Sequence, residues 1–119
     1  MAALLVVEDD ADARHLMRRW LERDGHRVSV AGNGRLALDL ARRSEYDLIL
    51  LDVNLPGGLD GYDVARGLTG STIPRLLMCT VHDREHAPPE LELDSWLVKP
   101  FSRAELLVAV SDVLGDGNG

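Results

Sequence analysis

LILLDVNLPGGLDG, residues 48 to 61, decides how this chain folds. It opens on four unbroken apolar residues, turns acidic at Asp52, and then runs through proline and glycine into a polar turn. Unbroken apolar runs, unlike alternating ones, suit central strands of a parallel sheet covered on both faces. LLVV at 4 to 7 and LLMC at 76 to 79 repeat the signature. Weaker strands are expected at Arg27 to Ala31 and Ser95 to Val98.

Between these runs the period becomes helical. Ala13, Leu16, Met17, Trp20 and Leu21 share one helix face, and Gly25 offers a C-terminal stop. Ala37, Leu40 and Ala41 continue the pattern, then Val64, Ala65 and Leu68, and finally Leu106, Leu107, Val110 and Leu114. Ser102 and Glu105 have the spacing of a capping box. Strand and helix alternate five times, as in a small doubly wound α/β domain with right-handed crossovers. In the fourth unit VHDREHAPPELELD is broken by Pro88 and Pro89, so its helix should be short or displaced.

With 119 residues the chain suits one domain, expected over 1–114, with GDGNG at 115–119 as a flexible tail or linker start. No apolar run approaches the roughly 20 residues of a membrane span. The net charge of −7 opposes direct contact with nucleic-acid phosphates. Cys79 is alone, which excludes an internal disulfide, and no secretory leader is evident, so the cytoplasm is the expected compartment.

In open α/β sheets, sites lie beyond the carboxyl ends of the strands, near the point where strand order reverses. The residues there are Glu8 and Asp9 after the first strand, Asp52 after the third, Thr80 after the fourth and Lys99 after the fifth. Carboxylates sharing one pocket repel by about 4 kcal/mol per pair at 4 Å and an effective dielectric near 20. A hard divalent cation such as Mg²⁺, held by carboxylate oxygens, a backbone carbonyl and waters, offsets that repulsion. Lys99 adds a mobile positive charge. Asp10 is expected in or before the first helical turn as a cap.

LLVVEDD, LILLDVNLPGGLDG, LLMCT and WLVKPF, in that order along nearly the whole chain, resemble the receiver domain of bacterial two-component response regulators, chemotaxis regulators included. The resemblance implies a flavodoxin-like fold with a five-stranded parallel sheet in the order 2-1-3-4-5. It also implies that Asp52 accepts a phosphoryl group from a sensor histidine kinase or phosphotransfer protein in a Mg²⁺-dependent reaction. Asp9 and Glu8 would hold the metal, the latter often through water, with Asp52 and the backbone carbonyl of Asn54. Thr80 and Lys99 would contact the phosphoryl oxygens, and Trp96, three residues before the lysine, would follow Thr80 as the switch aromatic. A cis peptide at Lys99-Pro100 belongs to the same pattern. Partners would be the phosphodonor and an output domain or downstream protein, with homodimerisation an option; the domain would catalyse only its own phosphorylation and dephosphorylation.

Three features depart from the pattern. LPGGLDG carries an extra residue, Val81 replaces a small residue, and the fourth helix is cut short. The resemblance implies that Val81, His82 and Asn54 occupy positions that modulate hydrolysis of the acyl phosphate. HDREH at 82 to 86 mimics a zinc-binding helix, but the prolines that follow and the missing third ligand favour a solvated loop. Two rival functions are a constitutive interaction module of the same fold and a phosphatase acting on external substrates. The intact set of Glu8, Asp9, Asp52, Thr80 and Lys99 argues against the first, and Asn54, in place of a general acid, against the second.

Overall fold

The computed structural model describes residues 2–68, 74–91, 93 and 95–115. Five strands, β1 (Ala3–Val7), β2 (Arg27–Ala31), β3 (Leu48–Leu51), β4 (Arg75–Thr80) and β5 (Ser95–Val98), form one sheet in the order β2-β1-β3-β4-β5. Every neighbouring pair is parallel. The helices are α1 (Ala11–Arg23), α2 (Gly34–Arg43), α3 (Gly61–Gly67) and α4 (Arg103–Leu114).

Why the strand runs are unbroken is visible in where their side chains go. Leu5, Val7, Ile49, Leu51, Leu76 and Met78 meet Ala37 of α2 and Tyr62 and Val64 of α3. Leu4, Val6, Leu48, Leu50, Leu77 and Cys79 meet Met17 and Leu21 of α1 and Leu106 and Val110 of α4. Successive residues of a strand point to opposite faces, so a sheet with two cores needs apolar residues at both parities.

Helix boundaries follow their capping chemistry. The Asp10 carboxylate accepts from Asp12 N at 3.0 Å, and Asn33 Oδ1 accepts from Leu36 N at 2.8 Å. Ser102 and Glu105 close the expected capping box on α4, and Asp60 and Asp63 form a second on α3. Gly25 follows α1 with φ +96°, a conformation costly for any residue with a Cβ. Leu16 departs from the expected core face: it is 43% exposed, while Met17 and Leu21 are buried and Trp20 packs beside them.

The anticipated weak point lies between β4 and β5. Among the described residues this segment carries only a single 3₁₀ turn, Arg84–His86, and no α-helix. The expected tail falls outside the described residues from 116 onward; Gly115 itself caps α4 in the left-handed region.

Candidate phosphoacceptor site

The chain leaves β1 toward β2 on one side and returns past it to β3 on the other, so the carboxyl ends of β1 and β3 flank the reversal point. Glu8 and Asp52 emerge there, 2% and 5% exposed, while Asp9 is exposed. One oxygen from each of the three carboxylates lies within 4.8 Å of the others, and no other such acid, thiol or imidazole group occurs among the described residues.

Lys99 reaches in from the end of β5. Its Nζ donates to Asp52 Oδ2 at 2.7 Å and to Glu8 Oε1. The lysine backbone is set by its own N–H, which donates to the Thr80 carbonyl at 2.7 Å, and a cis peptide joins Lys99 to Pro100. Asp52 Oδ1 accepts from Asn54 N at 3.2 Å, and Glu8 Oε2 accepts from Asp10 N at 3.1 Å. Each buried carboxylate is thus held at both oxygens.

One ammonium faces two buried carboxylates and a third beside them. Burial pushes the Glu8 carboxyl above its ordinary range, and the Lys99 hydrogen bond only partly opposes this. Burial also works against the Lys99 charge, but its bonds to Asp52 and Glu8 outweigh that and raise its pKa. The cluster is short of positive charge. An oxygen-rich, partly exposed acidic set of this kind suits Mg²⁺, which keeps waters and takes one or two carboxylates.

Thr80 ends β4 on the same edge of the sheet. It is fully buried, and its Oγ1 has no hydrogen-bond partner among the described residues. A buried hydroxyl without a partner is costly and calls for one. Trp96 on β5 is half-buried and its indole Nε1 donates to the His82 carbonyl at 2.8 Å.

HDREH lies in a solvent-exposed loop as expected, with Asp83 to His86 exposed and His82 half-buried, but its two histidines are partnered. Their rings stack with centroids 4.0 Å apart and planes 10° from parallel. Tyr62 Oη lies 2.7 Å from His86 Nδ1, and His82 Nε2 lies 3.4 Å from Asn54 Oδ1. This column of rings joins α3 to the segment that has lost its helix. Val81 stands 60% exposed beside it. In the β3–α3 loop Gly57 and Gly58 turn the chain in the left-handed region, at φ +89° and +90°.

Residues 4–111 match the family model for the response regulator receiver domain. The chain belongs to that family. The receiver domain is 40% identical over 119 residues to the probable transcriptional regulatory protein SilR of Salmonella typhimurium, covering 97% of this chain and 52% of the relative. It is 39% identical over 118 residues to the transcriptional regulatory protein CusR of Escherichia coli K12, covering 96% and 52%. It therefore spans about half the length of these relatives.

Among solved structures, the receiver domain of sensor histidine kinase PA1611 from Pseudomonas aeruginosa, with magnesium in its active-site cleft, matches at TM-score 0.85 and 28% identity, over 96% of this chain and 98% of that one. Response regulator TrrA of Thermotoga maritima, in complex with Mg²⁺ and beryllium fluoride, matches at 0.82 and 28%, over 95% and 99%.

Of the strand-end residues expected from the sequence, Glu8, Asp9, Asp52 and Lys99 come together, and Thr80 ends β4 on the same edge of the sheet. Tyr62 and Arg14, whose Nη1 donates to the Glu8 carbonyl at 2.8 Å, escaped that reading. Neither carries a local signal: Arg14 is one of several arginines on α1, and Tyr62 reads as core.

Proposed function

We propose that this receiver domain is a phosphorylation-dependent switch, with Asp52 as acceptor and a phosphohistidine of a sensor kinase or phosphotransfer protein as donor. The observation that carries the reading is Lys99 Nζ bonded to Asp52 and Glu8 within a group of three converging carboxylates. Glu8, Asp9, Asp52 and the Asn54 carbonyl would hold Mg²⁺. When bound, the ion supplies charge compensation for the transferring oxygens.

A carboxylate oxygen of Asp52 attacks phosphorus; the Asp–O–P bond forms as the P–N bond to the donor imidazole breaks. No general base is needed, because the nucleophile is already an anion. Asn54 N and Lys99 Nζ orient the Asp52 carboxylate, and Lys99 then moves with the phosphoryl oxygens. Thr80 Oγ1 donates to one of those oxygens and so gains the partner it lacks. Because Lys99 N and Thr80 O are bonded, movement of β4 reaches β5 and Trp96. Asn54, Val81 and His82 stand at the rim, where they set water's approach to the acyl phosphate.

The domain is a signalling element whose only chemistry is its own phosphorylation and dephosphorylation. Its unit is 1–114, and its readers are an output domain or a downstream protein. Exposed Val98 on β5 and Val108 on α4 support a protein contact there, a homodimer included. No helix among the described residues is long and apolar enough to cross a membrane, and action in the cytoplasm is proposed.

Intact mass spectrometry after incubation with acetyl phosphate tests this. One phosphoryl adduct that requires Mg²⁺ and is absent in Asp52→Asn is expected. No adduct, together with no beryllofluoride response, would instead favour a constitutive interaction module.

A further inference from the structure

Glu8 is held at every polar group. Its N–H donates to the Ala31 carbonyl at 3.0 Å, its carboxylate accepts from Lys99 and Asp10, and its carbonyl accepts from Arg14 Nη1 at 2.8 Å. Asp9 has far less. Its side chain is exposed, and the contact recorded for its backbone is a carbonyl 3.4 Å from the same Arg14 nitrogen. The guanidinium therefore touches two successive carbonyls in the turn that carries both acids.

Space for it comes from the neighbouring loop. A Cβ built on Gly32, just after β2, would lie 2.9 Å from Arg14 Nη1. Gly32 has no positive φ, so its backbone does not itself require glycine. What its lack of a side chain provides is room for the arginine.

We infer that Arg14 is a positioning residue for the cation site, admitted by Gly32: by holding the Glu8 and Asp9 carbonyls it keeps the Asp9 carboxylate within reach of Glu8 and Asp52. This rests on the Mg²⁺-dependent phosphoacceptor reading. Groups behind the ligands commonly set metal affinity by fixing ligand orientation. Charge alone predicts the reverse, since a guanidinium near the site repels a cation and its removal would strengthen binding.

Calorimetric titration with Mg²⁺ separates the two on wild type, Arg14→Met, Arg14→Lys, Gly32→Ala and the double variant. Positioning predicts affinity about tenfold weaker in Arg14→Met, partial recovery in Arg14→Lys, and weakening in Gly32→Ala although no charge changes. It also predicts that Gly32→Ala has no further effect once Arg14 is Met, the non-additivity of a contacting pair. Gly32→Ala presses only on the flexible end of Arg14, so it keeps the test open if Arg14→Met folds poorly. Tighter binding in Arg14→Met, unchanged binding in Gly32→Ala, or additive effects would each overturn the inference. If wild type itself binds no Mg²⁺, the phosphoacceptor reading fails, and this inference with it.

Discussion

Gly61 backs directly onto the carbonyl of Asp52. A Cβ at position 61 would lie 2.1 Å from that oxygen and 2.8 Å from Val53 Cα, and Gly61 N donates to the Val53 carbonyl at 2.7 Å. The first turn of α3 is thereby wedged under the acceptor's backbone. Gly61→Ala meets backbone atoms that have nowhere to move, so it should destabilise the domain by about 3 kcal/mol, at the upper end for overpacking. A urea midpoint equal to wild type would show that the helix can shift without cost.

Thr80 carries a fully buried hydroxyl with no partner among the described residues. Thr80→Val removes it at nearly constant shape, and stability should rise by about 1 kcal/mol in the unphosphorylated domain. The same variant should bind beryllofluoride with Mg²⁺ yet lose the accompanying change in Trp96 fluorescence, read in a Trp20→Phe background. A preserved fluorescence change would separate Trp96 from Thr80.

Glu8 is pushed upward by burial, so folding disfavours its charged form. The folded state then binds more protons than the unfolded state above the ordinary carboxyl value, and stability falls as pH rises through the folded pKa. Glu8→Gln should be the more stable protein at neutral pH without Mg²⁺. That advantage should shrink as pH falls through the folded pKa and vanish below about pH 4.5, the ordinary carboxyl value. Mg²⁺ should raise the melting temperature of wild type and leave the variant's unchanged. Equal melting temperatures without metal from pH 4 to 8 would contradict this.

Lys99 shows the opposite sign. Its pKa is raised despite burial because Asp52 and Glu8 hold the ammonium. Its contribution is complete below about 10.5, the ordinary lysine value, and is lost as pH climbs through the folded pKa. Denaturation midpoints of wild type should therefore fall in alkaline solution more steeply than those of Lys99→Met. Parallel alkaline profiles would mean that the ammonium adds nothing to the fold.

Tyr62 is 5% exposed and its hydroxyl lies 2.7 Å from His86 Nδ1. Tyr62→Phe should cost about 1 kcal/mol, the usual worth of one hydrogen bond. Hydrogen exchange should accelerate in the segment around residues 82–91 before the strands respond, because the ring column ties this segment to α3. Exchange that rises uniformly across the domain would mean the column has no local role.

Much of the fold was legible because the sheet has two cores. Leu48 to Leu51 and Leu4 to Val7 must be apolar at every position when helices cover both faces. The acids, hydroxyl and lysine were legible for a related reason: a parallel sheet delivers its strand ends to one edge, so Glu8, Asp9, Asp52, Thr80 and Lys99 could be brought together by order alone. Leu16 was misread because helical spacing defines a stripe but not how wide a stripe the sheet can cover.

Local composition therefore determined the strands, the helix caps, the reduced segment between β4 and β5, and the set of residues at the reversal point. Contacts between residues distant in sequence were decided only by tertiary structure. The Tyr62–His86–His82 column and the Trp96 bond to His82 join segments whose own sequences contain no trace of the partner. The same holds for Gly61 under Asp52 and Arg14 beside Gly32. Periodicity records which face a residue turns toward the core, whereas a close approach between two backbones or two rings exists only once both elements are packed.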